Sequence, residues 1–435
     1  MILTFFVTLV LLISSYYLVR RLFRTKKIKK PTQFFVMAPL DLLDLEGKMI
    51  NPDIIEIWLY KLSKIPVDGI MIDIWWGITE PEPDKYNFAG YHEFFDLCKK
   101  YGLKIIPIMS WHACGGNVGD TVNIPLPKWV EEENFFYKDA SGSEDHECIS
   151  LFYDQCLMKN TTVVGVYSQF MIAFRDSFAE DINNGHIVCI DIGLGPCGEC
   201  RYPGYRQPWN YPGAGAIQVY DDQALEIMKK CNVVPPEGAN DYNVLPTKSE
   251  FWTNISDNKE ALKFFDWYNL MLAEHADRVL IEARRIFGDE MELVAKVPGL
   301  HWWSDHPSHA AEATSGLYSY NDDTGYERLC RSFAKFNVTL DFSCLELTKN
   351  EGCYSQPEKL VRTVMEKAEE QGIMFEGENA LECYDSGSYQ RSLQWSIEGL
   401  HRYTFLRIGP TMMKFSNWVM FNQFARDMRA DVVYI

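Results

Sequence analysis

Eight short runs of nearly unbroken apolar character recur along the chain. Polar or aromatic residues end each run, and helical stretches separate one run from the next. The runs are FFVMAPLD (34–41), IMIDIWWG (70–77), LKIIPIMSWH (103–112), HIVCIDIGLG (186–195), DEMELVAKV (289–297), NVTLDFSCLE (337–346), IMFEGENAL (373–381) and RYTFLRIGP (402–410). Strands that are apolar throughout must be covered on both faces, which in alternation with helices means parallel strands under a helical layer. Eight of them predict a closed (β/α)8 barrel, the TIM-barrel form of the α/β class. The alternative, an open doubly wound sheet, finds no Gly-rich dinucleotide fingerprint or phosphate loop in its favour. Gly69, Gly102, Gly185, Gly288 and Gly372 precede five of the runs and read as left-handed helix caps. The segment 357–371 places Leu360, Val361, Val364, Met365 and Ala368 on one stripe, as a helix against the barrel requires. Long connections at 113–187 and 200–290 predict elaborate loops at the carboxyl ends of the strands, where barrels build their clefts.

Residues 33–435 are expected to form this one barrel domain. Before it, Ile2 to Val19 is apolar enough to span about 27 Å as a helix, the thickness of a bilayer core. Arg20, Arg21, Arg24, Lys26, Lys27, Lys29 and Lys30 follow this run instead of preceding it, contrary to the order in a cleavable signal peptide. The reading is an uncleaved transmembrane helix at 1–19 and a basic linker at 20–32, with the membrane as a partner. The positive-inside rule then leaves the body on the cytoplasmic side; a signal peptide would instead send it to the secretory lumen or outside. Seven of the 42 Lys and Arg residues lie in the first 30 positions, which hold no acid. The rest of the chain therefore carries 35 bases against 60 acids, a net charge of −25. A body that acidic repels phosphate backbones, which excludes a nucleic-acid binder and suits a neutral ligand. Most of the 12 cysteines lie in strand-like runs (Cys189, Cys344) or expected helices (Cys98, Cys231) and read as small core residues.

The strand ends carry the chemistry. In order they present Asp41; Asp73 with Trp75 and Trp76; His112; Glu199; Lys296 and His301 with Trp302 and Trp303; Ser343 and Glu346; Glu378 and Asn379; and Arg407. Hydroxyl-rich sugars call for such a mixture of bidentate polar partners and flat rings. Cleavage of a glycosidic bond needs one protonated and one ionised carboxyl group, and Glu199 and Glu378 stand on strands that face each other across an eight-stranded barrel. Cys197 and Cys200 form a CxxC without a second pair, and His112, His301 and Cys114 lack ligand spacing, so neither a metal nor a cofactor is called for.

The segments GIMIDIWWGITE (69–80), SWHACGGNVGDTVNIPLPKWV (110–130), GLGPCGECRYPGY (193–205), AKVPGLHWW (295–303), FSCLE (342–346) and EGENAL (376–381) closely resemble motifs of the β-amylases, glycoside hydrolase family 14, in order from about residue 34 to 430. The resemblance implies an enzyme that removes maltose from the non-reducing ends of α-1,4-glucans with inversion to β-maltose. It also implies Glu199 as general acid, Glu378 as general base, and a flexible loop at Gly115, Gly116, Asn117, Val118, Gly119 and Asp120. The implied sugar-binding residues are Asp73, His112, Asp120, Lys296, His301, Ser343 (Thr in the family), Asn379 and Arg407. The acid role requires a proton on Glu199, which neighbouring carboxylates would favour, and the base role requires a charged Glu378, for which Lys296 is the expected cation. Glu382-Cys383 replaces the Pro-Arg usual after the base. That change leaves a second reading, a membrane-tethered glucan-binding or sensing protein with a weakened site. The sequence does not set an oligomeric state.

Overall fold

The computed structural model describes residues 26–117, 120–321 and 325–434. Eight strands form its centre: β1 Gln33–Met37, β2 Gly69–Trp75, β3 Lys104–Ser110, β4 Cys189–Ile192, β5 Glu292–Val297, β6 Val338–Phe342, β7 Phe375–Glu378 and β8 Arg402–Phe405. Each pairs in parallel with the next, and β8 closes on β1 through partners such as Thr404 and Phe35. The helices α1 Pro52–Leu62, α2 Ala89–Lys100, α3 Val163–Ser177, α4 Lys259–Phe287, α5 Gly325–Lys335, α6 Pro357–Glu370, α7 Ser386–Glu398 and α8 Phe415–Arg429 follow the strands in turn. All eight apolar runs thus become barrel strands. In α6 the anticipated stripe is buried at Leu360, Val361, Val364 and Ala368.

The two-residue period of the strands divides the core into an inner and an outer layer. Phe35, Met37, Met71, Ile106, Ile108, Cys189 and Val294 form the inner cluster, while Phe34, Val36, Ile70, Ile72 and Ile105 join the larger cluster under the helices. Toward the carboxyl ends the same inward positions carry Asp73, Asp191 and Lys296, so the strands themselves deliver charge to one end of the barrel.

Inside the barrel, Arg402 donates from Nη1 to Glu376 at 2.6 Å and from Nη2 to both oxygens of Glu292 at 3.1 Å. A guanidinium fork suits this task, because each buried carboxylate needs a charged partner.

Gly288 closes α4 with φ 79° and ψ 170°, outside the left-handed helical region, while Gly102, Gly185 and Gly372 take φ of 71°, 63° and 70°, as anticipated for left-handed caps. Gly69 does not. It is the first residue of β2, and a Cβ there would lie 2.2 Å from the Lys104 carbonyl oxygen; its role is close approach between strands rather than capping. Among the cysteines, none of which is in a disulfide, Cys98 and Cys189 are buried but Cys231, at the end of its helix, is exposed. It is not a core residue.

Part of the expected linker is also not a free tether. Lys26–Ile28 pairs antiparallel with Val432–Tyr434, and the Lys29 ammonium donates to the Met428 carbonyl at 2.5 Å, clamping the chain's approach to β1 against its own end. The transmembrane reading of 1–19 and linker residues 20–25 lie outside the described residues; among the described residues no helix is long and apolar enough to cross a membrane. Replacing Arg402 by Met leaves Glu376 and Glu292 uncompensated and is expected to lower stability by about 3–5 kcal/mol. Urea unfolding should show the larger loss at pH 8 than at pH 5, since protonating the stranded acids relieves it.

Candidate active site

Lys296 projects from β5 and its ammonium lies 3.0 Å from both oxygens of Glu378, which ends β7. Asp341 of β6 stands 3.9 Å from the same ammonium. Burial works against the charge on Lys296, yet Glu378, Asp341 and Asp191 together hold its pKa above the ordinary value. Burial pushes Glu378 up to about 7, with Lys296 opposing and Asp341 and Glu199 adding to the rise. The expected cation for Glu378 is therefore present. Asp191 and Asp341 are further acids of this group, and among the described residues their carboxylate oxygens make no hydrogen bond. They are absent from the sequence reading, which weighed strand ends; the available signal was a lone acid inside an apolar strand, CID in β4 and TLD in β6.

The backbone of Lys296 ties this group to the other carboxyl. Its carbonyl accepts from Cys200 N–H at 2.7 Å, and Glu199 continues the ladder beside it. Glu199 follows the turn Pro196–Gly198, where Cys197 and Gly198 have φ of 55° and 76°. Its Oε2 accepts from Arg201 Nε at 2.6 Å and from the Tyr205 hydroxyl at 3.4 Å. Arg201 in turn stacks on the Tyr205 ring, 4.2 Å from its centre. The nearest partner of Glu199 is thus a guanidinium and not another acid, the opposite of the surroundings anticipated for it. Arg201, two positions after Glu199 in CRYP, is a site residue that sequence reasoning missed.

A second wall comes from β2, β3 and β8. Asp73 accepts from Ser110 Oγ at 2.8 Å; burial raises its pKa while Arg407 opposes. Arg407 donates to the Ala38 carbonyl at 2.9 Å. His112 packs edge-on against Trp75 and is pushed down to about 3 by burial, so its imidazole is neutral. Its Nδ1 has no hydrogen-bond partner among the described residues. Asp120 acts electrostatically on both Asp73 and His112, but its Oδ2 accepts from Gly115 N–H at 2.8 Å and Asn117 N–H at 2.9 Å. One oxygen therefore shapes its own loop. Val118 and Gly119 of that loop lie outside the described residues.

The remaining anticipated residues stand around β5 to β8. His301, held down to about 4 by burial, bonds through Nδ1 to Ser355 Oγ at 2.8 Å. Ser343 Oγ accepts from Gly299 N–H at 2.8 Å. Asn379 is fully buried and its carboxamide is occupied. Nδ2 donates to the Leu381 and Leu406 carbonyls, and Oδ1 accepts from Leu406 N–H, so the side chain shapes backbone instead of facing the mouth. Glu346 accepts from Ala380 and Leu381 N–H at 3.0 and 2.9 Å, ordering the segment just after Glu378. Glu382 is exposed and accepts from the Tyr384 hydroxyl, where water screens it. Of the expected indoles, Trp76 and Trp303 are core, and Trp302 and Trp303 donate to the Gly213 and Pro212 carbonyls. The more open rings are Tyr205, Trp209 and Tyr211, in contact with Trp302. Two neutral imidazoles, flat rings and an excess of carboxylates describe a mouth for an uncharged, hydroxyl-bearing ligand. No group of three or more His, Cys, Asp or Glu with the arrangement of a metal site occurs among the described residues.

Residues 35–432 match the sequence profile of Glycosyl hydrolase family 14. The chain is 37% identical to a β-amylase of Medicago sativa, over 92% of this chain and 87% of that one. It is 36% identical to Beta-amylase 5 of Arabidopsis thaliana over the same shares. The crystal structure of the catalytic domain of β-amylase from Paenibacillus polymyxa superposes with a TM-score of 0.76 at 28% identity, covering 93% of this chain and all of that domain. A β-galactosidase from the psychrophilic Marinomonas ef1, at 10% identity and a TM-score of 0.55, shares the fold alone. A carboxyl titration of Glu378 followed by NMR should have its midpoint at about 7, and Lys296→Met should move it upward, because the cation that opposes burial is gone.

Proposed function

This chain belongs to glycosyl hydrolase family 14 and is a glycoside hydrolase, and from that premise we propose that it is a β-amylase acting on α-1,4-glucans by inverting exo-hydrolysis, releasing β-maltose from non-reducing ends. The observation that carries the reading is the pair of carboxyl groups joined through Lys296: Glu378 on its ammonium, and Glu199 beside its backbone.

In this mechanism Glu199 is the proton donor. Arg201 and Tyr205 occupy its Oε2, which leaves Oε1 to hold the proton and deliver it to the glycosidic oxygen as the bond to the anomeric carbon breaks. Glu378 is the base. Its carboxylate takes a proton from a water on the opposite face of the ring, and that water's oxygen bonds to the anomeric carbon, inverting it. Lys296 steadies the ionised base and, as that base takes its proton, stays to hold the carboxyl in place. Asp73, His112 and Arg407 offer hydrogen bonds to hydroxyl groups from the opposite wall, and the loop around Asp120 covers the bound sugar. His301 and the rings near Trp302 receive the neighbouring residue of the glucan. Ser343 and Asn379 act in this reading through backbone, at Gly299 and at Leu381 and Leu406.

The run from Ile2 to Val19 and the bases after it remain the argument for a membrane anchor with the enzyme on the cytoplasmic face. A glycosylation tag fused to the carboxyl terminus should stay unmodified; its modification would reverse the orientation.

Glu199→Gln and Glu378→Gln are each expected to lower kcat on soluble starch by about 10²–10⁴-fold or more with unchanged circular dichroism. NMR of the first product should show maltose with the β-anomer in excess; α-maltose or mixed oligosaccharides would reject the inverting exo mechanism. The kcat/KM profile should fall as the pH drops through about 7, because protonated Glu378 cannot accept the proton from water.

A further inference from the structure

Glu147 lies outside the strand ends, on Glu144–Ile149, which pairs with Phe136–Lys138 as a hairpin within the long connection between β3 and α3. Its position ties together three segments that sequence keeps apart. The Glu147 carbonyl accepts from Ala113 N–H at 2.6 Å, and its neighbour Cys148 bridges to His112, so the hairpin is stitched to the root of the 115–120 loop. The carboxyl faces the Asn117 side chain inside that loop, which favours its charged form. Glu147 Oε1 then accepts from Cys197 N–H at 2.7 Å, across 50 positions of sequence. Cys197 is the non-glycine residue with positive φ in the turn that delivers Glu199, and its Sγ meets Arg201 Nη2 at 3.6 Å.

We propose that Glu147 is a positioning residue for the proton donor, fixing the turn before Glu199 and coupling that turn to Asn117. The inference rests on the reading of Glu199 as that donor. A left-handed residue other than glycine is held only where its surroundings over-determine it, and at Cys197 the hydrogen bond to Glu147 is such a restraint. The same carboxyl is electrostatically coupled to Arg201, the group bonded to Glu199. A loop displaced at Asn117 would therefore be felt at Cys197 through one side chain. The titratable groups facing Glu147 are Arg201, Asp145, Tyr205, Cys197 and Cys148; burial raises Glu147 to about 7, with Arg201 opposing and Asp145 adding. Arg206 reaches Asp145 from the far side at 4.0 Å.

The test measures kcat, KM, the kcat pH profile and the thermal midpoint on soluble starch for the parent, E147Q, E147L and E199Q. A misplacement of about 1 Å at the donor lowers turnover by about 100-fold, so E147L should lose about that much in kcat with KM within about threefold. E147Q keeps an oxygen that can accept from Cys197 N–H and should recover about a tenfold part of the loss. It should also shift the pH profile, because a charge next to Arg201 has gone. Parent-like kcat in both Glu147 variants while E199Q is inactive would overturn the inference and leave Glu199 as donor. A loss in E147Q as deep as in E199Q would make Glu147 a reacting group and also overturn it. So would a loss in both variants matched by a fallen thermal midpoint with an unmoved pH profile, which describes a merely structural residue. An active E199Q would instead defeat the reading on which the inference stands.

Discussion

One ammonium in the mouth of the barrel organises everything around it. Lys296 has lost most of its water, so its charge is tolerable only because Glu378 meets it at 3.0 Å and Asp341 stands at 3.9 Å. The reverse holds for the acids, of which there are more than one cation can neutralise. Burial therefore drives Glu378, Asp341 and Asp191 toward their protonated forms, and proton affinity in the site depends on a few ångströms around Lys296. Because the Lys296 carbonyl also receives Cys200 N–H, the same residue sets where Glu199 begins.

Both carboxyls suited to acid–base work are held from a distance by other carboxyls. Glu346 receives the two amides that follow Asn379, and Glu147 receives the amide two positions before Glu199. Backbone amides are well suited to this, since their direction is set by the fold and not by a rotamer. The barrel supplies a rigid frame below, and these loop carboxylates carry the rigidity above the strand ends, where chain geometry is irregular and each residue must be fixed by name.

Within the barrel, β5 to β8 carry most of the charge, while β1 to β4 add only Asp73 and Asp191 above an inner layer of hydrocarbon. Arg402 with Glu376 and Glu292 forms one ionic layer, and Lys296 with Glu378 and Asp341 forms another nearer the mouth. Neither layer resembles a hydrophobic core, and both demand matched partners, so substitutions there leave an uncompensated charge instead of a cavity.

The amino-acid sequence alone determined the barrel, because unbroken apolar strands alternating with amphipathic helices have few ways to bury both faces, and eight of them close. It also placed Glu378 and Lys296 at strand ends, since a charged residue at the edge of an apolar run is conspicuous in one dimension, whereas Glu199 stands beyond the end of β4, after the turn Pro196–Gly198. Only the tertiary structure decided which groups meet. Glu147 beneath Cys197 and the occupied carboxamide of Asn379 depend on segments brought together across tens of residues, and even Arg201, two positions from Glu199, turns back onto it only because of the local backbone; no periodicity records such contacts. Gly69 makes the same point on a small scale: before a strand it reads as a helix cap, and only the neighbouring Lys104 carbonyl shows that what matters is its missing side chain. Proton affinities belong wholly to this second level, because they follow from burial and from distances between charges that the fold brings together.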